Sequence, residues 1–409
     1  MIVKRIVKII VSLAIAVFVA FLTGWHGLKA TDYQLELTQI KSAYELSSQS
    51  RNLFNQAFYS FQLSALTGRQ DDVENADRAF DKALTKDLLS ADLYLLHAAY
   101  NLKLHRLQAA KMDLEKLAFL DDAKVEVLKA EIAVQEGKYS NAAASYQAII
   151  ETNRTWDNLS RLAYLQAKFG AYETADYLYQ AAEEEISAKD MRSYAWVKLQ
   201  RGYIALSRGQ ADKAWRHYRQ ADQAYSGYWL TQDYIAEWLA TQRKFDEAIS
   251  LYKQMAFCTR KPEIYQSLGD LYLFIGKPEL AQSWHDKALV HYLDSVNRGD
   301  VQYYHHLSSF YADARQDGAE AVKWARRDLQ LRQNVMTQDA LAWALFRNGQ
   351  HVEAVEAINN ALAFNWQDAH VYFHAGMIYL AAGLTEAGQR YLQQAVQINP
   401  HYDAFHVHR

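Results

Sequence analysis

The feature that most constrains this chain is a pair of small residues that recurs along most of its length. Successive pairs lie about 32 to 34 residues apart, with two longer steps of about 39 or 40. Within each pair, the second residue follows the first by about twelve positions. Such a period predicts a stack of helical hairpins. The first members are Ala98, Ala130, Ala163, Gly202, Ala236, Gly269, Ser308, Ala342 and Gly376, and the second members are Ala110, Ala142, Ala175, Ala214, Ala248, Ala281, Ala321, Ala354 and Gly388.

Helix packing explains why this period needs small residues. Two antiparallel helices approach closely only where short side chains meet, and large apolar residues then fill the space at helical spacing, as Leu268 and Tyr272 do around Gly269. Glycine at the turn supplies the positive φ that ends the first helix. Because one hairpin buries too little surface to be stable alone, neighbouring hairpins must stack. The predicted turn glycines are Gly137, Gly170, Gly209, Gly276, Gly349 and Gly383.

The residues around these pairs resemble the tetratricopeptide repeat (TPR) family. The resemblance implies an all-α, right-handed α-solenoid of about nine to ten hairpins. One N-terminal membrane helix, predicted separately from the first 30 residues, precedes it. We expect a membrane segment at 1–30, N-terminal helices with a degenerate repeat at 31–91, the array at 92–400 and a tail at 401–409. Two units match the family pattern most fully. The first contains Tyr265, Leu268, Gly269, Tyr272, Gly276, Ala281 and Ala288, and the second contains Tyr372, Gly376, Tyr379, Gly383, Leu392, Ala395 and Pro400. The degenerate unit upstream is recognised from Ala76, Phe80 and Ala83.

Three departures from the repeat pattern stand out. Trp366 occupies a position where the family usually has its closing proline. Asp328 replaces a residue that is usually small. The segment from His291 to Asp300 adds about five residues before the next repeat. We interpret this insertion as a bend in the superhelix, because an inserted turn changes the rotation between neighbouring repeats.

Composition narrows the classes of function. The net charge of −3 and a pI of about 6.5 give no basic patch for nucleic acid, so no nucleic-acid partner is expected. The single cysteine, Cys258, forms no internal disulfide and belongs to no zinc-binding pattern. We find no phosphate-binding loop, no nucleophile elbow and no metalloprotease motif. The sequence therefore predicts neither an enzyme nor a bound cofactor.

The first 30 residues have the pattern of a membrane signal. Lys4, Arg5 and Lys8 precede an uncharged apolar run of about 14 residues from Ile9 to Leu22. The positive charges predict a cytoplasmic N-terminus, with the rest of the chain outside the cytoplasmic membrane and in the periplasm of a Gram-negative cell. The residues before Ala30 make a poor cleavage site, which favours an uncleaved signal-anchor. Secretion to the periplasm after cleavage is the alternative.

The resemblance also implies a binding groove. In the TPR family the first helix of each hairpin lines the concave face, at positions about three before, one after and five after the small crossing residue. The corresponding residues are mostly aromatic and carry little charge, which suits an apolar or extended peptide. The groove residues predicted in this way are Tyr164, Trp196, Leu199, Tyr203, Tyr234, Glu237, Phe274, His305, Trp343, Phe346, Phe373 and Met377.

The leading hypothesis is a membrane-anchored, extracytoplasmic scaffold that binds other proteins during envelope assembly or secretion. One alternative is an accessory protein of polysaccharide export, because aromatic side chains can stack on sugar rings. Another is a metal-handling accessory that uses histidines near the C-terminus. His370 and His374 lie one helical turn apart, but no carboxylate or cysteine accompanies them at metal-site spacing in the sequence, so no metal site is predicted. Further histidines near the chain end are His401, His406 and His408.

Overall fold

The computed structural model describes residues 30–87, 89–120 and 122–402. These residues form 21 α-helices, one short π-helix and no strand. The helices are α1 Asp32–Gln49, α2 Leu53–Thr67, α3 Gln70–Lys86, α4 Ala91–Lys103, α5 Leu107–Glu115, α6 Ala123–Gln135, α7 Tyr139–Thr152, α8 Trp156–Lys168, α9 Tyr172–Glu185, α10 Met191–Ser207, α11 Ala211–Ala224, α12 Trp229–Thr241, α13 Phe245–Thr259, α14 Pro262–Phe274, α15 Pro278–Asn297, α16 Tyr304–Ser309 continued by the π-helix Phe310–Ala314, α17 Gly318–Leu331, α18 Val335–Arg347, α19 His351–Leu362, α20 Ala369–Ala381 and α21 Thr385–Ile398.

Consecutive helices from α2 to α21 pair into ten antiparallel hairpins, and α1 packs on the first of them. This confirms the predicted all-α stack, including the degenerate hairpin of α2 and α3. No helix within the described ranges is both long enough and apolar enough to span a bilayer. The membrane segment predicted at 1–30 lies, up to residue 29, outside the part of the chain that is described.

The small residues mark the crossing points within the hairpins, as predicted. All eighteen members of the recurring pairs are buried. At Gly202, an added Cβ would lie 2.2 Å from Cε1 of the buried Tyr218, and at Gly269 it would lie 2.2 Å from Cδ2 of His285. The helices therefore approach as closely as a missing side chain allows, and a bulky residue of the second helix fills the space.

Local signals fix where the helices begin and end. Proline opens both α14 and α15, where the missing N–H costs no hydrogen bond. An Asn334–Thr337 capping box starts α18. The six predicted turn glycines all lie at positive φ, between 71° and 83°. Each one allows the chain to leave the first helix in the left-handed conformation that a side chain disfavours.

The stack of hairpins comes round to meet itself. Hydrogen bonds join residues about 190 to 230 positions apart. The second, third and fourth hairpins, which belong to the first superhelical turn, thereby rest against the eighth, ninth and tenth, six places further along the chain. We call this line of contact the seam. Its members include the pairs Asp32–Ser226, Arg106–Asp300, Tyr139–Val335 and Lys168–Asp368.

Two charged contacts hold partly buried sites of the seam. The Lys168 ammonium lies 2.8 Å from an Asp368 carboxylate oxygen, and the Gln367 N–H donates to the Lys168 carbonyl over 2.8 Å. Burial opposes both charges, but each group compensates the other: the pKa of Lys168 is raised and the pKa of Asp368 is lowered. Further along, Arg106 joins Asp77 of its own turn to Asp300 of the next turn, with 2.7 Å between Nη2 and Asp300 Oδ1.

The insertion at 291–300 does not appear as a loop at the end of a repeat. Most of it extends α15, which continues to Asn297 and is 20 residues long. The remainder delivers Asp300 to the seam, where it accepts hydrogen bonds from Arg106 and from Gln70 Nε2. The extra residues therefore reach the preceding turn of the superhelix, which is a physical reason for the insertion beyond the predicted bend.

Candidate functional site

A cavity of about 1210 Å³ lies against the last six hairpins, from α10–α11 to α20–α21. Its wall is built from the first helices of six successive hairpins, α10, α12, α14, α16, α18 and α20, and α21 with Tyr402 closes one end. The first helices therefore supply most of the lining of this cavity. The volume exceeds the roughly 300 to 1,000 Å³ of a usual small-molecule pocket.

The predicted groove residues divide between the cavity and the packing around it. A second, small pocket of about 60 Å³ adjoins the main cavity and shares Tyr203 with it. Leu199 is fully buried in the core, and Trp196 packs against Trp156 with ring centroids 6.0 Å apart. Neither Trp196, Phe346 nor Met377 lines either pocket. Those lining the main cavity are Tyr203, Tyr234, Glu237, Phe274, His305, Trp343 and Phe373, whereas Tyr164 lines the small pocket.

The cavity wall is acidic as well as aromatic, whereas the sequence predicts an aromatic groove with little charge. Among the described residues that line it, Lys261 is the single lysine or arginine. Burial lowers the pKa of His306 to about 4, so this lining histidine is neutral at pH 7. The wall therefore carries net negative charge as well as aromatic surface. The lining carboxylates are Asp233, Glu237, Glu263, Asp270, Asp313 and Asp339.

Most of these acids were missed although the same positional rule points to them. Asp233 and Asp339 lie three residues before the crossing residues Ala236 and Ala342, and Asp270 lies one residue after Gly269. Glu237 is the single acid among the predicted groove residues, and Asp233, Asp270 and Asp339 are not among them. All three of these positions face the cavity.

Several acids are engaged within the wall. Asp270 Oδ1 lies 2.8 Å from His285 Nε2. The Trp343 indole N–H donates to Asp313, with 3.1 Å from Nε1 to each carboxylate oxygen. Burial raises the pKa of Asp313, and the indole N–H and Arg347 counteract part of that rise. These contacts hold the carboxylates on helices and so make a preformed acidic surface.

The most concentrated group is formed by Asp339, His370 and His374. Asp339 comes from α18, and both histidines come from α20 of the following hairpin, so adjacent first helices bring them together. Nδ1 of His374 lies 3.0 Å from both Asp339 oxygens, and Nε2 of His370 lies 3.4 Å from Asp339 Oδ2. The absence of an accompanying carboxylate, noted in the sequence analysis, therefore does not hold in three dimensions.

Burial and mutual charge act differently on the two histidines. Burial lowers the pKa of His374 to about 4 despite the nearby Asp339 carboxylate. Burial also disfavours the charged form of His370, but the hydrogen bond and charge of Asp339 outweigh it and raise the pKa of His370. Together the two imidazoles keep the pKa of Asp339 well below its ordinary value although the carboxylate is buried.

Comparison with known proteins supports the repeat assignment. Residues 369–402, which comprise α20, α21 and the turn after them, match the tetratricopeptide repeat family. The last hairpin is therefore a TPR-type unit. No curated protein matches the chain in sequence.

The structure is similar to several solved structures at low sequence identity. The APC/C hetero-tetramer Cut9-Hcn1 matches with 16% identity and a TM-score of 0.45, over 92% of this chain and 76% of that one. Human IFIT1 with PPP-AAAA matches with 14% identity and a TM-score of 0.46, over 93% and 88%. Yeast Tom70 matches with 12% identity and a TM-score of 0.40, over 89% and 92%. Such distant likenesses carry no information about the ligand of this chain.

Proposed function

We propose that the chain is a non-catalytic scaffold whose central cavity holds an extended, positively charged segment of another protein. The observation that carries the proposal is the cavity itself, about 1210 Å³ in volume and lined by six successive first helices. A cavity that is lined by six helices in succession fits an extended peptide segment better than a compact small molecule. Aromatic residues such as Tyr203, Tyr234 and Phe373 offer large contact area at little cost in side-chain entropy.

The negative charge of the cavity wall favours positively charged peptides. Acidic residues from four first helices face a cavity with one lining lysine, so a segment rich in lysine or arginine finds complementary charge. A neutral glycan can stack on the aromatic rings, but it gains nothing from the carboxylates. We therefore favour a cationic polypeptide over the glycan alternative.

Site-specific crosslinking tests this function. A photo-reactive residue at Tyr203, in the cavity wall, should capture discrete protein partners in cells. The same residue at Tyr177, which is 69% exposed outside the described cavity, is the matched control and should not capture them. Equal capture from both positions, or none from Tyr203 in a folded protein, would rule out the cavity as the binding site.

The charge dependence of binding is tested with a synthetic peptide that has the sequence of the captured partner segment. Binding should weaken with added salt and in the Asp233→Asn/Asp270→Asn variant, because both changes reduce the attraction to the wall. A peptide with its lysines and arginines replaced by glutamate should not bind. Salt-independent binding, or binding of a neutral oligosaccharide in place of the peptide, contradicts the cationic-peptide proposal.

We propose further that residues 1–30 anchor the scaffold in the cytoplasmic membrane with the array outside it. The support is the sequence pattern of Lys4, Arg5 and Lys8 before an apolar run. In a Gram-negative host, the full chain should fractionate with membranes and be digested by protease only after the outer membrane is opened. A chain that begins at Thr31 should stay in the cytosol. Protection of the full chain in spheroplasts would reverse the proposed orientation.

A further inference from the structure

We propose that Asp339, His370 and His374 form a binding site for a divalent transition-metal ion, with Zn²⁺ as the best match. The three side chains lie in the wall of the central cavity. One ligand atom from each can be chosen so that all three lie within 4.8 Å of one another. This inference does not depend on the peptide-binding proposal, since it concerns the ion alone.

The spacing of the donor atoms fits a common centre. Zinc bonds of about 2.0 to 2.2 Å in a tetrahedral arrangement place neighbouring donor atoms roughly 3.3 Å apart. Here the distances from Asp339 oxygens are 3.0 Å to His374 Nδ1 and 3.4 Å to His370 Nε2. Both fall close to that separation. The third separation, between the two histidine donors, lies within the 4.8 Å that encloses all three atoms, so one ion can approach all of them.

The supporting structure holds the donors in place. His370 and His374 project from one face of α20, one helical turn apart, and Asp339 projects from the adjacent α18. The His374 ring stacks on the Trp343 indole with centroids 4.0 Å apart and planes 8° from parallel. The second nitrogen of His370, Nδ1, lies 3.1 Å from the Tyr402 hydroxyl. Such partners fix the orientation of metal-binding imidazoles.

The composition of the group identifies the class of ion. Two imidazoles and one carboxylate are the ligands of zinc sites that keep an open position, and imidazole disfavours Mg²⁺ and Ca²⁺. Asp339 is only 2% exposed, so a carboxylate there benefits from a cation more than one in water would. The cavity side of the group leaves room for a water molecule, or for a donor from a bound ligand, to complete the coordination.

Calorimetric titration of the full chain with ZnSO₄ tests the site. The His406→Ala/His408→Ala variant serves as the parent, because the histidines at the chain end can bind metal independently. We expect one ion per chain in the parent and no saturable binding after His370→Ala/His374→Ala. His291→Ala removes an exposed histidine from α15 and should bind as the parent does. Tyr402→Phe should weaken binding roughly 10-fold, since it removes only an orienting contact.

Fluorescence locates the ion independently of the histidine variants. Because Trp343 stacks on His374, a Co²⁺ ion bound there should quench Trp343, which is one of ten tryptophans. The quenched component should disappear in Trp343→Phe and should be prevented by Zn²⁺. Asp339→Asn, with its fold checked by circular dichroism, should lose both heat and quenching. Absence of saturable Zn²⁺ binding in the parent, or binding that survives Asp339→Asn and the double histidine variant, would show that the group is a hydrogen-bonded ion pair only.

Discussion

The turn glycines of the first superhelical turn differ from those of the second in what surrounds them. At Gly137 an added Cβ would lie 2.4 Å from the Gln333 carbonyl oxygen, and at Gly209 it would lie 2.9 Å from Asn399 Oδ1. At Gly276, Gly349 and Gly383 it would meet nothing within 4 Å. All five glycines have a similar positive φ. A turn glycine in the sequence therefore marks two different physical requirements, a left-handed backbone alone or a left-handed backbone with no room for a side chain.

The difference shows how the seam changes a repeat protein. In a simple solenoid each repeat contacts only its neighbours, and stability is a sum over adjacent interfaces. Here the hairpin around Gly137 also touches Gln333, just before the ninth hairpin, and the hairpin around Gly209 touches Asn399, just after the tenth. Contacts of this kind couple distant parts of the chain and should make unfolding more cooperative than nearest-neighbour stacking alone.

Substituting one glycine from each set tests this difference in surroundings most directly. Gly349→Ala should cost about 1 to 2 kcal/mol, the strain of a side chain in the left-handed region. Gly137→Ala should cost that amount plus roughly 1 to 3 kcal/mol, because the methyl group collides with the backbone of the next turn. Urea denaturation followed by circular dichroism measures both values. Equal losses in the two variants would mean that the seam is not closed at Gly137 in solution.

The charged part of the seam should come next in size. Lys168→Met leaves the Asp368 carboxylate shielded from water without its ammonium partner and should destabilise the protein by about 3 kcal/mol. Asp368→Asn retains a side-chain acceptor for the His370 N–H at the start of α20, so the double variant Lys168→Met/Asp368→Asn should recover most of the loss. Thermal and urea unfolding of the single and double variants measure the coupling.

An exposed ion pair provides the control for this second test. Arg326 and Glu353 join neighbouring helices with side chains 56% and 50% exposed. Arg326→Met should change the free energy of unfolding by no more than about 0.5 kcal/mol. If Lys168→Met were as mild, the Lys168–Asp368 contact would belong to the ordinary surface and would not hold the two turns together.

Local pattern predicts the hairpins because their packing is local. A small residue at each crossing point and a glycine at each turn are demands that two adjacent helices make on a stretch of about 34 residues. The seam joins residues about 200 positions apart, and no period in the sequence reports such a contact. Its traces are the departures from the repeat: Trp366 packs on Tyr139 at 4.8 Å, Asp300 binds Arg106, and Asp328 binds Arg332.

The cavity illustrates the same limit. The repeat predicts which positions share one face of the stack, and Tyr203, Tyr234 and Trp343 are predicted groove residues that line the cavity. The grouping of Asp339 with His374 could not be read from sequence, since the two residues are 35 positions apart and belong to different hairpins. Repeat period gives the face on which a residue lies, whereas the superhelical geometry decides which residues of neighbouring repeats meet.

Among the seam contacts tested, Asp328 has the smallest expected effect, and that effect depends on pH. Its carboxylate accepts from Arg332 Nη2 at 2.7 and 2.8 Å, and Arg332 Nη1 lies 3.3 Å from His105 Nδ1 in the preceding turn. Burial opposes the charge on Asp328, but His305, with Nδ1 3.7 Å away, and the Arg332 guanidinium lower the pKa of Asp328 to about 2. An acid in the position of a usual small residue thus connects the two turns through an arginine.

Because the pKa is lower in the folded state, the stabilisation is present above the unfolded pKa of about 3.9 and is lost as the pH falls through 2. The depression corresponds to about 2 kcal/mol. The parent should therefore be more stable than Asp328→Asn at pH 5, and its advantage should shrink by that amount by pH 2. Other carboxylates titrate equally in both proteins and cancel in the difference, which urea unfolding at each pH measures. If the difference in free energy of unfolding between the two proteins stayed constant from pH 5 to pH 2, Arg332 would not hold Asp328 as a buried carboxylate. The Asp328 side chain would then contribute to the seam through packing only.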